Sequence, residues 1–228
     1  MTEVFASIVL PVHNQAEHIA AIVGRHVEAL ERTSLRYEII LVPNSCRDDS
    51  EAVCRELAAH CDAVRVVASE LGGWGRAVRI GLAAARGDLL CYTNSARTTS
   101  EELTLLLLYA RCFPNAVVKA YRKVREHWTR RLGSLLYNLE CRALFDLSNW
   151  DVNGTPKVFP RACEKLLGLT RDDDLIDAEF NWICRREGYP LLEVPIFSHL
   201  RHGGTSTTTL RSAARMYVGA YHLWQQAS

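Results

Sequence analysis

The sequence predicts an α/β fold: a mostly parallel central sheet with helices on both faces. Three observations lead there. Short apolar runs alternate with stretches of helical periodicity through residues 1–120. The apolar runs are continuous rather than alternating, as strands covered on both faces require. Polar and glycine-containing turns follow the runs, at the strand ends where ligands of such sheets bind.

Taken in order, residues 5–12 (FASIVLPV) are the first buried strand. Asn14, with Glu17 three residues on, predicts a helix cap. Ile19, Ile22, Val23, Val27 and Leu30 then repeat at helical spacing. Residues 37–42 (YEIILV) are the second strand, 48–61 a helix and 63–68 (AVRVVA) the third strand. Gly72, Gly73 and Gly75 form a turn that opens a helix running to about Ala85. Residues 88–93 (DLLCYT) are the fourth strand, with Asp88 in a turn of the core. Thr99 or Ser100 caps the next helix, with Glu101 and Glu102 in its first turn. Residues 116–120 are the fifth strand. The basic, aromatic stretch 122–142 predicts a helix, 177–187 another, 191–197 a strand, 201–209 a loop and 210–226 a last helix. With no repeat and no linker, one domain is expected over 1–228, in two halves, 1–120 and 121–228.

Composition narrows the function. The net charge is +1, so no global field points to nucleic acid. The eight cysteines include no C-x-x-C pair and the histidines no ligand spacing, which argues against a structural zinc and for reduced thiols in a cytoplasmic protein. The first residues lack a basic leader, and the longest apolar stretch, 103–110, is too short to span a bilayer. The first strand is followed by Pro11-Val12-His13-Asn14 rather than G-x-G-x-x-G, against a nicotinamide-dependent dehydrogenase.

Five further stretches carry more. They are I-V-L-P-V-H-N-Q, Y-E-I-I-L-V-P-N-S, L-G-G-W-G-R-A-V-R-I-G-L-A-A-A-R-G-D, D-V-N-G-T-P-K-V-F-P-R, and D-A-E-F followed by G-Y-P-L-L-E-V-P-I and R-H-G-G-T-S. In this order and spacing, over residues 7–206, they resemble glycosyltransferase family 2 with its GT-A fold, and most of all the dolichol- and polyprenyl-phosphate sugar transferases. The resemblance implies an inverting transfer of a sugar from a nucleoside diphosphate to an acceptor. Residues 1–120 would be the nucleotide-sugar half, and 121–228 the acceptor half with a terminal helix. Nucleotide contacts would come from Pro11, His13, Asn14, Gln15, Asn44, Gly73, Arg76, Asn94 and Ala96. Phosphate and acceptor contacts would come from Arg122, Arg131, Asp151, Arg201 and Ser206. Asp177 or Glu179 would remove the acceptor's proton.

The sequence departs from the family where the chemistry is. Two aspartates after the second strand are here Pro43 and Asn44, the D-x-D after the fourth is Asn94-Ser95-Ala96, and a glutamate after the first is Gln15. Hard cations need anionic oxygens, so no metal cofactor is expected although the family uses one. Negative charge at three positions is gone together, and Arg76, Arg97, Arg122, Arg131 and Arg201 would hold the diphosphate instead. Two readings stand: a metal-independent or weakly active transferase, and a non-catalytic nucleotide-sugar-binding or subunit protein on the same fold.

Each residue also has a plainer reading. Asn14 with Glu17 serves equally as a helix cap, the aspartates at 172–174 as a helix start, and the 122–142 charge run as a solvated face. The last helix mixes Met216, Tyr217, Tyr221 and Trp224 with Arg211 and Arg215. That pattern fits docking on the protein's own core, a homodimer contact, or peripheral attachment to a membrane carrying a lipid-phosphate acceptor.

Overall fold

The computed structural model describes residues 5–122, 128–197 and 210–227, with side chains for all of these except 128–131, 210–214 and 227. Seven strands form one sheet in the order β3-β2-β1-β4-β6-β5-β7. They are β1 (Phe5–Val12), β2 (Arg36–Pro43), β3 (Val64–Val66), β4 (Leu89–Tyr92), β5 (Val117–Arg122), β6 (Lys157–Pro160) and β7 (Leu191–Ile196). The helices are α1 (Ile19–Glu31), α2 (Ser50–His60), α3 (Trp74–Ala84), α4 (Ser100–Cys112), α5 (Trp128–Phe145), α6 (Ile176–Arg186) and α7 (Leu210–Ala227). This is the predicted α/β architecture.

All five predicted strands are in the sheet, but they are not all neighbours. Strands β3, β2, β1 and β4 run parallel side by side. Strand β6 then intervenes, antiparallel to both β4 and β5. It escapes sequence reading because its four residues are too few for a period, and one of them is a lysine. The basic helix begins at Trp128 and continues to Phe145.

Alternate residues of the same strands serve opposite layers, as a period of two dictates. Ile8, Leu10, Ile39 and Leu41 join the layer of α1, α2 and α4. Val9, Ile40 and Val42 join that of α3 and α6. Each such side chain is fully buried, which stabilises the fold by roughly 1.5–3 kcal/mol per residue. A third cluster ties Tyr137, Cys141 and Phe145 of α5 to Ala220 and Leu223 of α7.

The cap predicted at Asn14 is not formed. Helix α1 starts at Ile19 behind His18, whose side chain caps nothing, while Asn14 is left-handed at φ 50°. Its Oδ1 accepts from the Arg47 backbone N–H at 2.8 Å, so its turn is tied to the end of β2 instead. Thr99 does cap α4, in a reciprocal capping box with Glu102. Asp88 lies in the turn before β4, but exposed rather than in the core.

Candidate active site

The carboxyl ends of β1, β2 and β4 converge, and the predicted nucleotide residues meet there. His13 Nδ1 lies 2.9 Å from the Asn44 carbonyl and its Nε2 lies 3.2 Å from Asn14 Nδ2. Both contacts are satisfied when Nδ1 carries the proton. The Gln15 N–H donates to Ser50 Oγ at 2.7 Å. Ser95 Oγ lies 2.9 Å from Gln15 Oε1 and 3.0 Å from the Pro11 carbonyl, and its single proton serves one at a time. Asn44 is buried; its amide donates to Val12 and Val42 carbonyls at 2.9 and 3.3 Å, and its Oδ1 accepts from Gly73 N at 3.3 Å. Asn44 therefore locks β1, β2 and the glycine turn together with the group that the sequence offered for nucleotide contact.

The metal position is equally self-contained. Asn94 Oδ1 accepts from Ala96 N at 3.0 Å, and Ala96 is only 2% exposed. An amide oxygen already engaged, a buried hydroxyl and a methyl group do not make the anionic set that a divalent cation requires. Among the described residues no group of three His, Cys, Asp or Glu stands close enough to hold a metal ion. The residues present do not fit the family's cation.

The glycine turn is shaped by a neighbour. Gly73 has φ 144°, and a Cβ there would collide with the Asp172 carbonyl. One on Gly75 would collide with the Arg171 carbonyl. The absent side chains let the 171–173 segment close over the start of α3. Arg76, expected on a phosphate, instead pairs with Asp172 at 2.5 Å, and Arg79 binds the other oxygen of the same carboxylate at 2.5 Å.

The acceptor half holds ionised groups in pairs. Arg122 and Asp151, both predicted, bind each other: Nε to Oδ2 at 2.7 Å and Nη2 to Oδ1 at 2.8 Å, with the Arg122 N–H adding a third contact at 3.1 Å. Asp177 is buried and accepts from Lys157 Nζ, from Tyr92 Oη at 2.9 Å and from Trp74 Nε1 at 3.3 Å. It thus touches α3 and β4 from the first half and β6 from the second. Burial pulls the Lys157 ammonium down to about 8, Asp177 opposes that, and Lys119 adds to it. Lys119 lies opposite Lys157 in the β5–β6 register and has its own partner, Glu193, at 3.2 Å. Glu193 also accepts from the Trp150 and Asp151 N–H groups at 2.8 and 3.1 Å. Glu179 is committed elsewhere, to Thr170 N, Thr170 Oγ1 and Arg171 N at 2.6–3.0 Å, where it pins the segment covering α3. Of the two predicted bases, only Asp177 reaches the junction of the halves.

Arg201 and Ser206 lie outside the described residues, and so does the side chain of Arg131. Sequence reading missed Trp74, Tyr92, Lys119, Lys157 and Glu193. The available signal was a lysine inside two apolar strands, VVKAY and PKVFP. A lysine is almost never fully buried without a partner, so each one forecasts a buried carboxylate.

Comparison with known proteins bears on the family and the fold. The chain is 28% identical over 135 residues to the undecaprenyl-phosphate 4-deoxy-4-formamido-L-arabinose transferase of Aeromonas hydrophila, covering 58% of this chain and 41% of that one. It is 31% identical over 138 residues to the enzyme of the same name from Edwardsiella ictaluri, covering 59% and 42%. It is 23% identical over 217 residues to that from Pseudomonas fluorescens, covering 93% and 63%. The chain thus spans less than two thirds of the length of these relatives. In fold it matches glucosyl-3-phosphoglycerate synthase from Mycobacterium tuberculosis, solved with Mn2+, uridine diphosphate and phosphoglyceric acid. That match has a TM-score of 0.73 at 16% identity and covers 98% of this chain and 78% of that one. The family described as Glycosyl transferase family 2 matches residues 7–162. With that match over most of its length and a GT-A sheet, the chain belongs to glycosyl transferase family 2.

Proposed function

We propose that the chain moves a sugar, with inversion, from a nucleoside diphosphate sugar to a prenyl phosphate, without a divalent metal. The observation that carries this is the state of the candidate carboxylates. Asp151, Asp177 and Glu179 are each buried and each already held by donors. A carboxylate whose lone pairs are occupied is a poor proton acceptor. A phosphate monoester needs none, because it is an anion at neutral pH with a second pKa of about 6. The names of the relatives point to the same acceptor class. The loss of acidic side chains at Gln15, Asn94 and Ala96 removes repulsion between protein and diphosphate. The developing charge on the leaving group then falls to arginine donors, for which Arg131 and Arg201 are the proposed sources. Peripheral residence at a membrane follows from such an acceptor; no helix among the described residues is long and apolar enough to cross one.

A hydroxyl acceptor is the second reading, favoured by the place of Asp177 between Trp74, Tyr92 and Lys157. The test is transfer from a panel of nucleoside diphosphate sugars to a short-chain prenyl phosphate and to the matching prenyl alcohol, with chelator or with manganese, for the parent and Asp177→Asn. Transfer to the phosphate that ignores chelator supports the proposal, and turnover of phosphate acceptor should then survive Asp177→Asn. A fall of about 100-fold or more in that variant, confined to the alcohol, assigns Asp177 as a general base. Binding of a nucleotide sugar with no turnover leaves the non-catalytic member of the family. Binding of none removes the donor assignment.

A further inference from the structure

Four aromatic rings form a line through the core. Phe159 lies 5.6 Å from Phe180, Phe180 lies 5.7 Å from Tyr92, and Tyr92 lies 6.3 Å from Trp74, each pair edge to face. The first three rings are fully buried, whereas Trp74, at the start of α3, is half-buried and brings the line to the surface. It is fixed at three points. Its Nε1 donates to Asp177 Oδ2 at 3.3 Å, the Gly73 N–H before it donates to Asn44 Oδ1 at 3.3 Å, and the Arg76 N–H after it donates to the Asp172 carbonyl at 3.0 Å. Asn44 belongs to the neutral ends of β1, β2 and β4, and Asp177 to the junction of the halves, so Trp74 stands between the two.

That place and the chemistry of the ring say what it meets. Trp150 and Trp182 each carry an arginine over the ring, at 3.9 and 4.4 Å, but among the described residues no cation lies over Trp74. The charged groups beside it, Asp177 and Lys157, are spent on each other, and Tyr92 Oη donates to the same carboxylate. What this point of the junction offers to a ligand is therefore an indole face. A pyranose is polar around its edge and presents C–H groups on its faces, which an aromatic face matches. In a donor whose nucleotide lies along the neutral strand ends, the sugar is the part that reaches the junction. A ring already held at three points loses little freedom when it is covered, so the contact is not offset by ordering.

We infer that Trp74 is the platform on which the ring of the transferred sugar rests. The inference depends on the nucleoside diphosphate sugar proposed above as donor, and the experiment tells the two failures apart. Titration calorimetry compares UDP and GDP with a panel of their hexose and pentose esters on the parent, Trp74→Phe and Trp74→Leu, after unfolding curves show all three folded. Trp74→Leu should weaken the sugar ester about three- to tenfold and leave the free nucleoside diphosphate within about twofold. Trp74→Phe, which keeps a ring face, should stay near the parent. A second measurement serves if the leucine variant unfolds. In a nitrogen–proton correlation spectrum, the Trp74 indole N–H, assigned by its absence from Trp74→Phe, should shift with the sugar ester and not with the free nucleotide. Equal losses for both ligands in Trp74→Leu, or none for either, overturn the inference and leave the donor assignment standing. So does a loss confined to a short-chain prenyl phosphate, because the ring then serves the acceptor. A parent that binds no sugar ester overturns the inference and the donor assignment together.

Discussion

The two halves of the candidate site treat charge in opposite ways. At the ends of β1, β2 and β4, the contacts among His13, Asn14, Gln15, Asn44, Asn94 and Ser95 are hydrogen bonds between neutral groups. Across the junction, Lys119, Arg122 and Lys157 meet Glu193, Asp151 and Asp177, three cations against three carboxylates. The contrast teaches that the residues standing where a metal-bound diphosphate is expected contact one another as neutral groups, with the nearby Asp48 carboxylate held by Ala16 N–H and Ser50, whereas charge is retained in neutralised pairs where strands β5, β6 and β7 join the acceptor loop. A neutral rim tolerates exchange of its partners for a ligand at modest cost. A buried ion pair does not, because removing one partner strands the other.

The contrast breaks first at Lys157. Lys157→Met leaves Asp177 buried without its cation, and the fold should lose about 3–5 kcal/mol, read by urea unfolding. The double variant Lys157→Met/Asp177→Asn should recover part of that loss. With Asp177→Asn measured alone, a double variant whose loss equals the sum of the two single losses would show that the pair is not coupled.

Next comes the reverse experiment, putting charge back into the neutral half. Asn94→Asp/Ala96→Asp places a carboxylate at a position only 2% exposed. Without metal the protein should lose about 1–3 kcal/mol. Manganese should restore Tm by binding the folded state alone, whereas the parent's Tm should not respond to it. A parent that responds as strongly would mean that the neutral rim is not what sets metal use.

Acid sharpens the comparison on a third charged group, in the first half but away from the rim. Burial pushes the Glu38 carboxyl up, but hydrogen bonds from Ser7, Arg65 and the Arg86 N–H outweigh it and leave it below its ordinary value of 4.5. A carboxylate lowered in the folded state stabilises fully above its unfolded value, and that stability fades as pH falls through the folded one. Glu38→Gln should therefore cost about 1.5–3 kcal/mol at pH 7 and progressively less below about pH 4.5. A cost that is flat across this range would assign the effect to packing.

The smallest effect is expected at Arg76. Its side chain is 34% exposed and its partner Asp172 39% exposed, so Arg76→Ala should change stability by no more than about 1 kcal/mol. Because the guanidinium is spent on Asp172, affinity for a nucleoside diphosphate, by titration calorimetry, should stay within about twofold, under 0.5 kcal/mol. A larger fall in affinity would return Arg76 to the phosphate site.

The sequence by itself determined the α/β class, five of the seven strands by their apolar runs, the strand β7 and the helices that follow a 3.6-residue period. It also determined that no carboxylate stands at 94–96. Those are properties of residue type and local spacing, which the chain carries in linear order. Tertiary structure alone decided that β6 inserts between β4 and β5, that Asn14 leaves the helix it was expected to cap for Arg47, and that Arg122 faces Asp151, 29 residues away. It also decided the different fates of Asp177 and Glu179, two residues apart on one helix. About 200° of helical rotation separates neighbours at that spacing, so one carboxylate meets Lys157 at the junction and the other meets Thr170 behind it. Which partner a buried charge finds depends on what the fold places within a few ångströms, and spacing along the chain does not carry that information.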